Sequence, residues 1–174
     1  VCAKNCKYKQ KDIPIIKTLN TRRFLSKVCS DFYKLKPENI IAVTGTNGKT
    51  SVADLFYQIL ELNNVPVASI GTLGIKFKKK IIKSNLTSPD TIFLHEALQK
   101  IKKKNINNVI IEASSHGLHQ HRIDHIDIKA GIFTNFSQDH LDYHNNMQSY
   151  FKAKMILFNN LLDKRKIVIS DSSI

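Results

Sequence analysis

The sequence predicts a doubly wound α/β domain, a mostly parallel sheet with helices on both faces. Three observations lead there. Apolar runs of strand length alternate with stretches of helical spacing along most of the 174 residues, which is the order of a βαβ chain. Val109-Ile110-Ile111 is an uninterrupted apolar run, as in strands covered on both faces. Ile40 to Thr50 reads as a buried strand, a glycine turn and a helix start in immediate succession.

Residues 1–20 are irregular in pattern; Ile13-Pro14-Ile15-Ile16 is a short strand at most, held to an edge by a proline without an N–H. Over 21–35, Phe24, Leu25, Val28, Phe32 and Leu35 recur at helical spacing, and Pro37 ends the element. Strand 40–44 leads through the glycine turn into a helix over 49–63, with Val52, Leu55, Phe56, Ile59 and Leu60 as its apolar face and Asn63-Asn64 as its stop. Val65 to Ile70 is a second core strand, after which Gly71-Thr72-Leu73-Gly74 changes the direction of the chain. Ile75-Lys76-Phe77 and Ile81-Ile82 predict an exposed hairpin with solvated lysines. Ser88 is placed to cap a helix, with Pro89 at its first position and Asp90 favouring the dipole. That helix runs to about 103, buried through Ile92, Leu94, Ala97, Leu98 and Ile101. Strands at 109–111 and 130–134, a helix over 147–162 and a strand at 167–169 complete the order.

The formal charge is +13, from 27 Lys plus Arg against 14 acids. Few of the basic residues are Arg, and no aromatic platform is interleaved with the lysine runs, so a nucleic-acid partner is set aside. The positive field favours anionic substrates instead. Cys2, Cys6 and Cys29 make no disulfide framework and the chain shows no secretory leader; free thiols and a cytoplasmic location are expected. No apolar run approaches the ~20 residues that span a bilayer. The chain begins without methionine and is expected to be cut from a longer protein.

Four stretches carry chemistry. The first is Gly45-Thr46-Asn47-Gly48-Lys49-Thr50-Ser51. A turn of this kind aims backbone N–H groups inward, and the helix N-terminus adds unpaired donors, which together make a phosphate nest. Gly45 and Gly48 supply the backbone angles, Lys49 reaches the terminal phosphates, and the Thr50 hydroxyl suits a magnesium ion. The usual pattern has a glycine where Val43 stands. The second is Glu112, directly after an apolar strand, where ligands of open α/β sheets sit; its carboxylate suits magnesium beside the phosphates.

The third is the run 133–144, again past a strand end: Asn135 to bond a nucleotide or order the loop, and His140 as a second metal ligand. Asp139 and Asp142 offer similar oxygens, and His119, His121, His125 and His144 are read as structural. The fourth is Lys154, which falls inside the apolar arc of its helix while Lys152 points to solvent. A buried lysine is costly. It either snorkels or, as a neutral amine, adds carbon dioxide to form an anionic carbamate able to ligate a second magnesium.

VTGTNGKT at 43–50, LTSPD at 86–90, EASSHGLHQHR at 112–122, FTNFSQDHLDYH at 133–144 and YFKAKMILF at 150–158 together resemble the Mur ligase family, ATP-dependent amino-acid ligases of peptidoglycan synthesis. Within it they are most similar to the tripeptide-synthetase branch. The resemblance implies an ATP- and Mg²⁺-dependent ligase adding a diamino acid, meso-diaminopimelate or L-lysine, to UDP-N-acetylmuramoyl-L-alanyl-D-glutamate. It implies Lys49, His140 and Lys154 as catalytic residues. Thr50, Glu112, His140 and a carbamylated Lys154 would hold two magnesium ions, and Asn135 would serve the nucleotide loop. Thr87, Ser88, Ser114, Gln120 and Arg122 would contact the UDP-MurNAc-dipeptide. It further implies a monomer, with residues 1–36 as the remnant of an N-terminal uridine-binding domain and linker, residues 37–174 as an incomplete central ATP-binding domain, and a C-terminal domain lying outside this chain. Ser51 and Ser88 replace common threonines but keep a hydroxyl, and Ser170-Asp171-Ser172-Ser173 matches the family's Asn-x-Asp-Asp turn only loosely. The rival readings are a folylpolyglutamate synthase-like ligase and a P-loop nucleotide-binding module that is not a ligase.

Overall fold

The computed structural model describes residues 1–7, 14–78, 80–83 and 86–170. Its centre is a seven-stranded sheet in the order β6-β5-β4-β7-β3-β8-β9. The strands are β3 (Asn39–Thr44), β4 (Val67–Gly71), β5 (Gly74–Phe77), β6 (Lys80–Ile82), β7 (Asn108–Glu112), β8 (Ile128–Phe133) and β9 (Leu162–Ser170). β4, β7, β3, β8 and β9 run parallel, and β5 and β6 form an antiparallel edge. The doubly wound, mostly parallel fold expected from the sequence is the one observed.

The central strands are apolar throughout because both faces are covered, and their side chains alternate between two cores. Ile40, Ala42, Val109 and Ile111 join the larger core with Leu94, Leu98 and Ile101 of α3 (Thr91–Lys102) and Leu118 of α4 (Ser115–His119). Val43 and Ile110 point the other way, onto Ala53 of α2 (Lys49–Leu62). Here the expected face of α2 shifts. Ala53 and Tyr57 are its buried residues, Val52 and Phe56 pack partly, and Leu55 and Ile59 are exposed. An α-helix on one sheet face buries a single narrow stripe, and the small Ala53 allows the closest approach.

Other expectations are corrected. The N-terminal residues are not wholly irregular: β1 (Cys2–Ala3) pairs in parallel with β2 (Lys17–Thr18). The strand expected at 13–16 is therefore displaced to Lys17; Ile13 itself lies outside the described residues. α1 spans Thr21–Phe32, capped by Asn20 accepting from the Arg23 N–H, so Leu35 falls outside it. Its buried residues are Ser26 and Cys29, whereas Leu25, Val28 and Phe32 are exposed. The face is selected by polar docking, because the Ser26 hydroxyl donates to the Asp124 carbonyl at 2.6 Å and Ser30 donates to His125.

The cap of α3 is Asp90, which accepts from the Phe93 N–H; Ser88 and Pro89 precede the helix, and Ile92 faces outward, two residues out of phase with Leu94. Lys76 is not solvated but pairs with Asp54, tying the hairpin to α2. β5 carries the buried Ile75 and Phe77, so only β6 is the exposed half of the hairpin. α5 (Leu141–His144) and α6 (Met147–Ile156) follow β8. The helix expected over 147–162 ends at Ile156, continues as a π turn over Leu157–Leu161, and gives way to β9 five residues earlier than expected. Leu162, buried and paired with Ile128, is the reason. Among the described residues no helix is long and apolar enough to cross a membrane.

Candidate active site

Strand order brings the chemistry together. β3 lies between β7 and β8, with Val43 beside both Glu112 and Ile132, and Thr44 beside Phe133. The segments that follow these strands therefore leave the sheet side by side at its carboxyl edge. The Ala113 N–H donates to the Val43 carbonyl at 2.8 Å and the Thr134 N–H to the Thr44 carbonyl at 3.0 Å, extending the ladders to the loop bases.

Val43, where the usual loop has a glycine, is fully buried strand, so the turn begins only at Gly45. Gly45 has φ +141° and Gly48 φ +81°. A Cβ at Gly45 would run into Thr134 Oγ1 and the Asn135 backbone. The turn is laced to the segment after β8. The Thr46 N–H donates to the Asn135 carbonyl at 2.9 Å, and the Asn47 N–H donates to Asn135 Oδ1 at 2.9 Å. Asn135 Nδ2 and the Thr134 hydroxyl both donate to the Asn47 carbonyl. Asn135 thus engages the loop through its carbonyl and both ends of its side chain. Lys49 donates to the Gly45 and Thr46 carbonyls at 2.8 and 2.6 Å, and burial pulls its pKa down.

Glu112, essentially buried, is held by three donors. The Thr72 N–H reaches Oε1 at 2.9 Å, and the Thr50 and Thr72 hydroxyls reach Oε2 at 2.9 and 3.1 Å. A Cβ at Gly71 would strike this carboxylate, so the glycine makes room for it. The Thr72 hydroxyl also lies 3.1 Å from the Thr87 hydroxyl and, with its own proton on Glu112, accepts from it. Sequence reasoning treated Gly71-Thr72 as a turn and missed this role; the available signal was its position at the carboxyl end of a core strand. One carboxylate and two hydroxyls facing each other suit a hard cation, which takes few protein oxygens and completes its shell with water and phosphate. Among the described residues no three His, Cys, Asp or Glu side chains gather as a metal cage.

Lys154 is 1% exposed. Its ammonium donates to the Gly45 carbonyl at 2.6 Å, the same carbonyl that Lys49 engages, and lies 4.2 Å from the centre of the Tyr150 ring. Burial, aided by the charge of Lys49 and opposed by Asp139, brings its pKa down to about 7. Tyr150 is buried and donates to Thr46 Oγ1 at 3.3 Å. His140 is exposed, caps α5 in a left-handed conformation with φ +51°, and sets its ring edge-on to His116 and Tyr150.

One cavity of about 240 Å³ is lined by residues 46–50 together with Thr72, Thr87, Glu112, Ser114, Ser115, His140 and Lys154. Five of the residues expected to bind phosphate or metal, Lys49, Thr50, Glu112, His140 and Lys154, share this wall with Thr87 and Ser114. Gly45, Ser51, Ser88, Gln120, Arg122 and Asn135 are not on it. Ser51 is exposed on α2. Ser88 is buried, donating to the Glu112 carbonyl and accepting from the Ser114 N–H. Arg122 donates to the Ser88 carbonyl at 2.8 Å and to Gln120 Oε1 at 2.6 Å, while Gln120 Nε2 donates to the Tyr143 hydroxyl.

Comparison with known proteins gives a consistent result. The family model described as the Mur ligase middle domain matches residues 43–174. A UDP-N-acetylmuramoyl-L-alanyl-D-glutamate–2,6-diaminopimelate ligase of Bradyrhizobium diazoefficiens is 43% identical over 150 residues, 86% of this chain. The chain spans about 31% of that relative's length. A solved structure of a ligase of the same name is similar with a TM-score of 0.73 and 33% identity, over 87% of this chain and 30% of the other. E. coli FolC in complex with DHPP and ADP shares the fold at a TM-score of 0.64 and 19% identity, over 89% of this chain and 42% of the other. With the family's middle-domain model matching residues 43–174 and relatives above 40% identical over most of the chain, the chain belongs to the Mur ligase family.

Proposed function

We propose that the chain is the nucleotide-binding part of an ATP-dependent ligase that joins diaminopimelate to UDP-N-acetylmuramoyl-L-alanyl-D-glutamate. The observation that carries this reading is the single cavity on which Lys49, Thr50, Glu112, His140 and Lys154 meet Thr87 and Ser114. The diaminopimelate ligases that the chain resembles supply the acceptor and the amino acid.

The acceptor's carboxylate is already a competent nucleophile, so the protein has to position groups and screen negative charge. In the proposed reaction that carboxylate attacks the γ-phosphorus of ATP. The bond to the β-γ bridging oxygen breaks, and ADP leaves. The amine of the diamino acid then attacks the acyl carbon, phosphate departs, and the amine's proton is lost to solvent. Lys49 and the N–H groups of the 45–50 turn hold the phosphates. Thr50, Glu112 and His140 are the residues for a magnesium ion, which when bound neutralises charge on the transferred group. Thr87, Ser88, Ser114, Gln120 and Arg122 serve the acceptor; Arg122, through the Ser88 carbonyl and Gln120, supports the shape of that side. Lys154 fits a carbamylated residue: its Nζ is buried, lines the cavity, and loses its proton near pH 7. The carbamate would supply a second anionic metal ligand.

The test is phosphate release by the full-length gene product given ATP, Mg²⁺, the muramyl dipeptide acceptor and a panel of amino acids. Release dependent on that acceptor and on diaminopimelate is expected. Release driven instead by a folate acceptor with glutamate, or by no acceptor at all, overturns the proposal.

A further inference from the structure

We propose that His144 is a positioning residue, locking the turn that carries His140 onto the segment that carries Glu112 and so setting the separation of the two proposed metal ligands. The inference rests on the ligase reading of this site.

His140 has little of its own to hold it. Its side chain is exposed, its charged neighbour is Asp139 at 3.6 Å, and its backbone is left-handed, a conformation that a residue with a Cβ adopts at a cost. Surrounding structure must therefore impose that conformation. The α5 turn is closed by the His144 N–H donating to the His140 carbonyl at 3.0 Å. His144 is the buried residue of α5. Its Nε2 lies 3.0 Å from Ser115 Oγ, three residues beyond Glu112 and at the first position of α4. Its ring packs on Tyr150, with centroids 5.2 Å apart, and on His116 at 5.5 Å. Tyr150 in turn carries Lys154 over its face and bonds Thr46. One imidazole therefore touches its own turn, the start of α4 three residues past Glu112, and the helix that bears Lys154. A hydrophobic filler would account for the ring contacts but not for the bond to Ser115.

The experiment uses the full-length protein with Mn²⁺ replacing Mg²⁺, measuring Mn²⁺ affinity in the presence of ADP by electron paramagnetic resonance. His144→Leu removes the ring nitrogens, Ser115→Ala removes only the hydroxyl, and His144→Gln returns an amide near the Nε2 position. His144→Leu and Ser115→Ala are expected to weaken Mn²⁺ binding about 5- to 20-fold, the double variant no further than the worse single one. His144→Gln should stay within about threefold of the parent. The Mg²⁺ needed for half-maximal phosphate release should rise by the same factor, with the acceptor KM unchanged. Parent-like Mn²⁺ affinity in both single variants, or losses that simply add, overturns the proposal. Ser115→Ala carries the test alone if His144→Leu does not fold. Should the parent release no phosphate with the muramyl acceptor, the ligase reading fails while the Mn²⁺ measurement still decides the role of His144; a parent that binds no Mn²⁺ with ADP sinks the metal site and this proposal together.

Discussion

Lys154 stands where burial cost and chemistry meet. Its pKa falls from 10.5 to about 7 because the ammonium is removed from water. Between those pH values the unfolded chain binds a proton that the folded chain lacks, so stability rises with pH across that window and the full penalty applies below it. Lys154→Met should therefore raise stability at pH 7, by roughly 3–5 kcal/mol less the lost bond to Gly45, and the gain should shrink towards pH 10. Urea denaturation at the two pH values checks this. In the full-length protein Lys154→Ala should lose activity that added short carboxylic acids partly restore; undiminished activity ends the carbamate role. Tyr143 makes a different residue-scale case. Its hydroxyl accepts from Gln120 Nε2 and sits 3.0 Å from His119 Nδ1. Tyr143→Phe frees the Gln120 amide to rotate, and the acceptor KM should rise about 5-fold with kcat changed less than twofold, read from initial rates.

The phosphate loop is a shape imposed on the chain by its neighbour. Gly45 combines a positive φ with the absence of room for a Cβ, so Gly45→Ala must distort either the turn or the Thr134–Asn135 segment. A cost of about 1–3 kcal/mol is expected, together with at least a 10-fold loss of ADP affinity measured calorimetrically. α3 offers the ordinary contrast. Asp90→Ala removes one cap bond and should cost about 1 kcal/mol, seen as a small fall in Tm with ADP affinity unchanged. Helix existence was legible in both cases from spacing and turn residues. The choice among Ser88, Pro89 and Asp90 was not, because Ser88 is drawn instead to the Glu112 carbonyl and the Ser114 N–H. The same limit applies to α1, whose periodic Leu25, Val28 and Phe32 pointed to the wrong face. Periodicity identifies a stripe, and a partner decides which stripe is buried.

The whole domain is held by two unequal cores, and its polar joints set its response to acid. His95 of α3 is fully buried against α1 and the loop after α4, 3.5 Å from the Ser26 hydroxyl, and burial lowers its pKa from 6.5 to about 4. Below pH 6.5 the unfolded chain takes up a proton that the folded chain refuses, so stability falls as the pH drops from 6.5 to 4. The loss approaches roughly 3 kcal/mol for this group. His95→Phe should flatten that part of the stability profile, which denaturation midpoints at pH 7 and pH 5 will show.

Read alone, the sequence determined the strand-turn-helix at 40–50, the order of the central strands and the longer helices, the misplacement of Lys154 among apolar neighbours, and the family motifs; each is set by residues near one another in the chain. The tertiary structure alone decided that β3 lies between β7 and β8, which puts Lys49, Glu112 and His140 on one cavity wall. It alone disclosed Thr72 and His144, whose partners are 40 and 29 positions away. Local pattern carries spacing and polarity, whereas adjacency across a parallel sheet is settled by how helices pack over both faces.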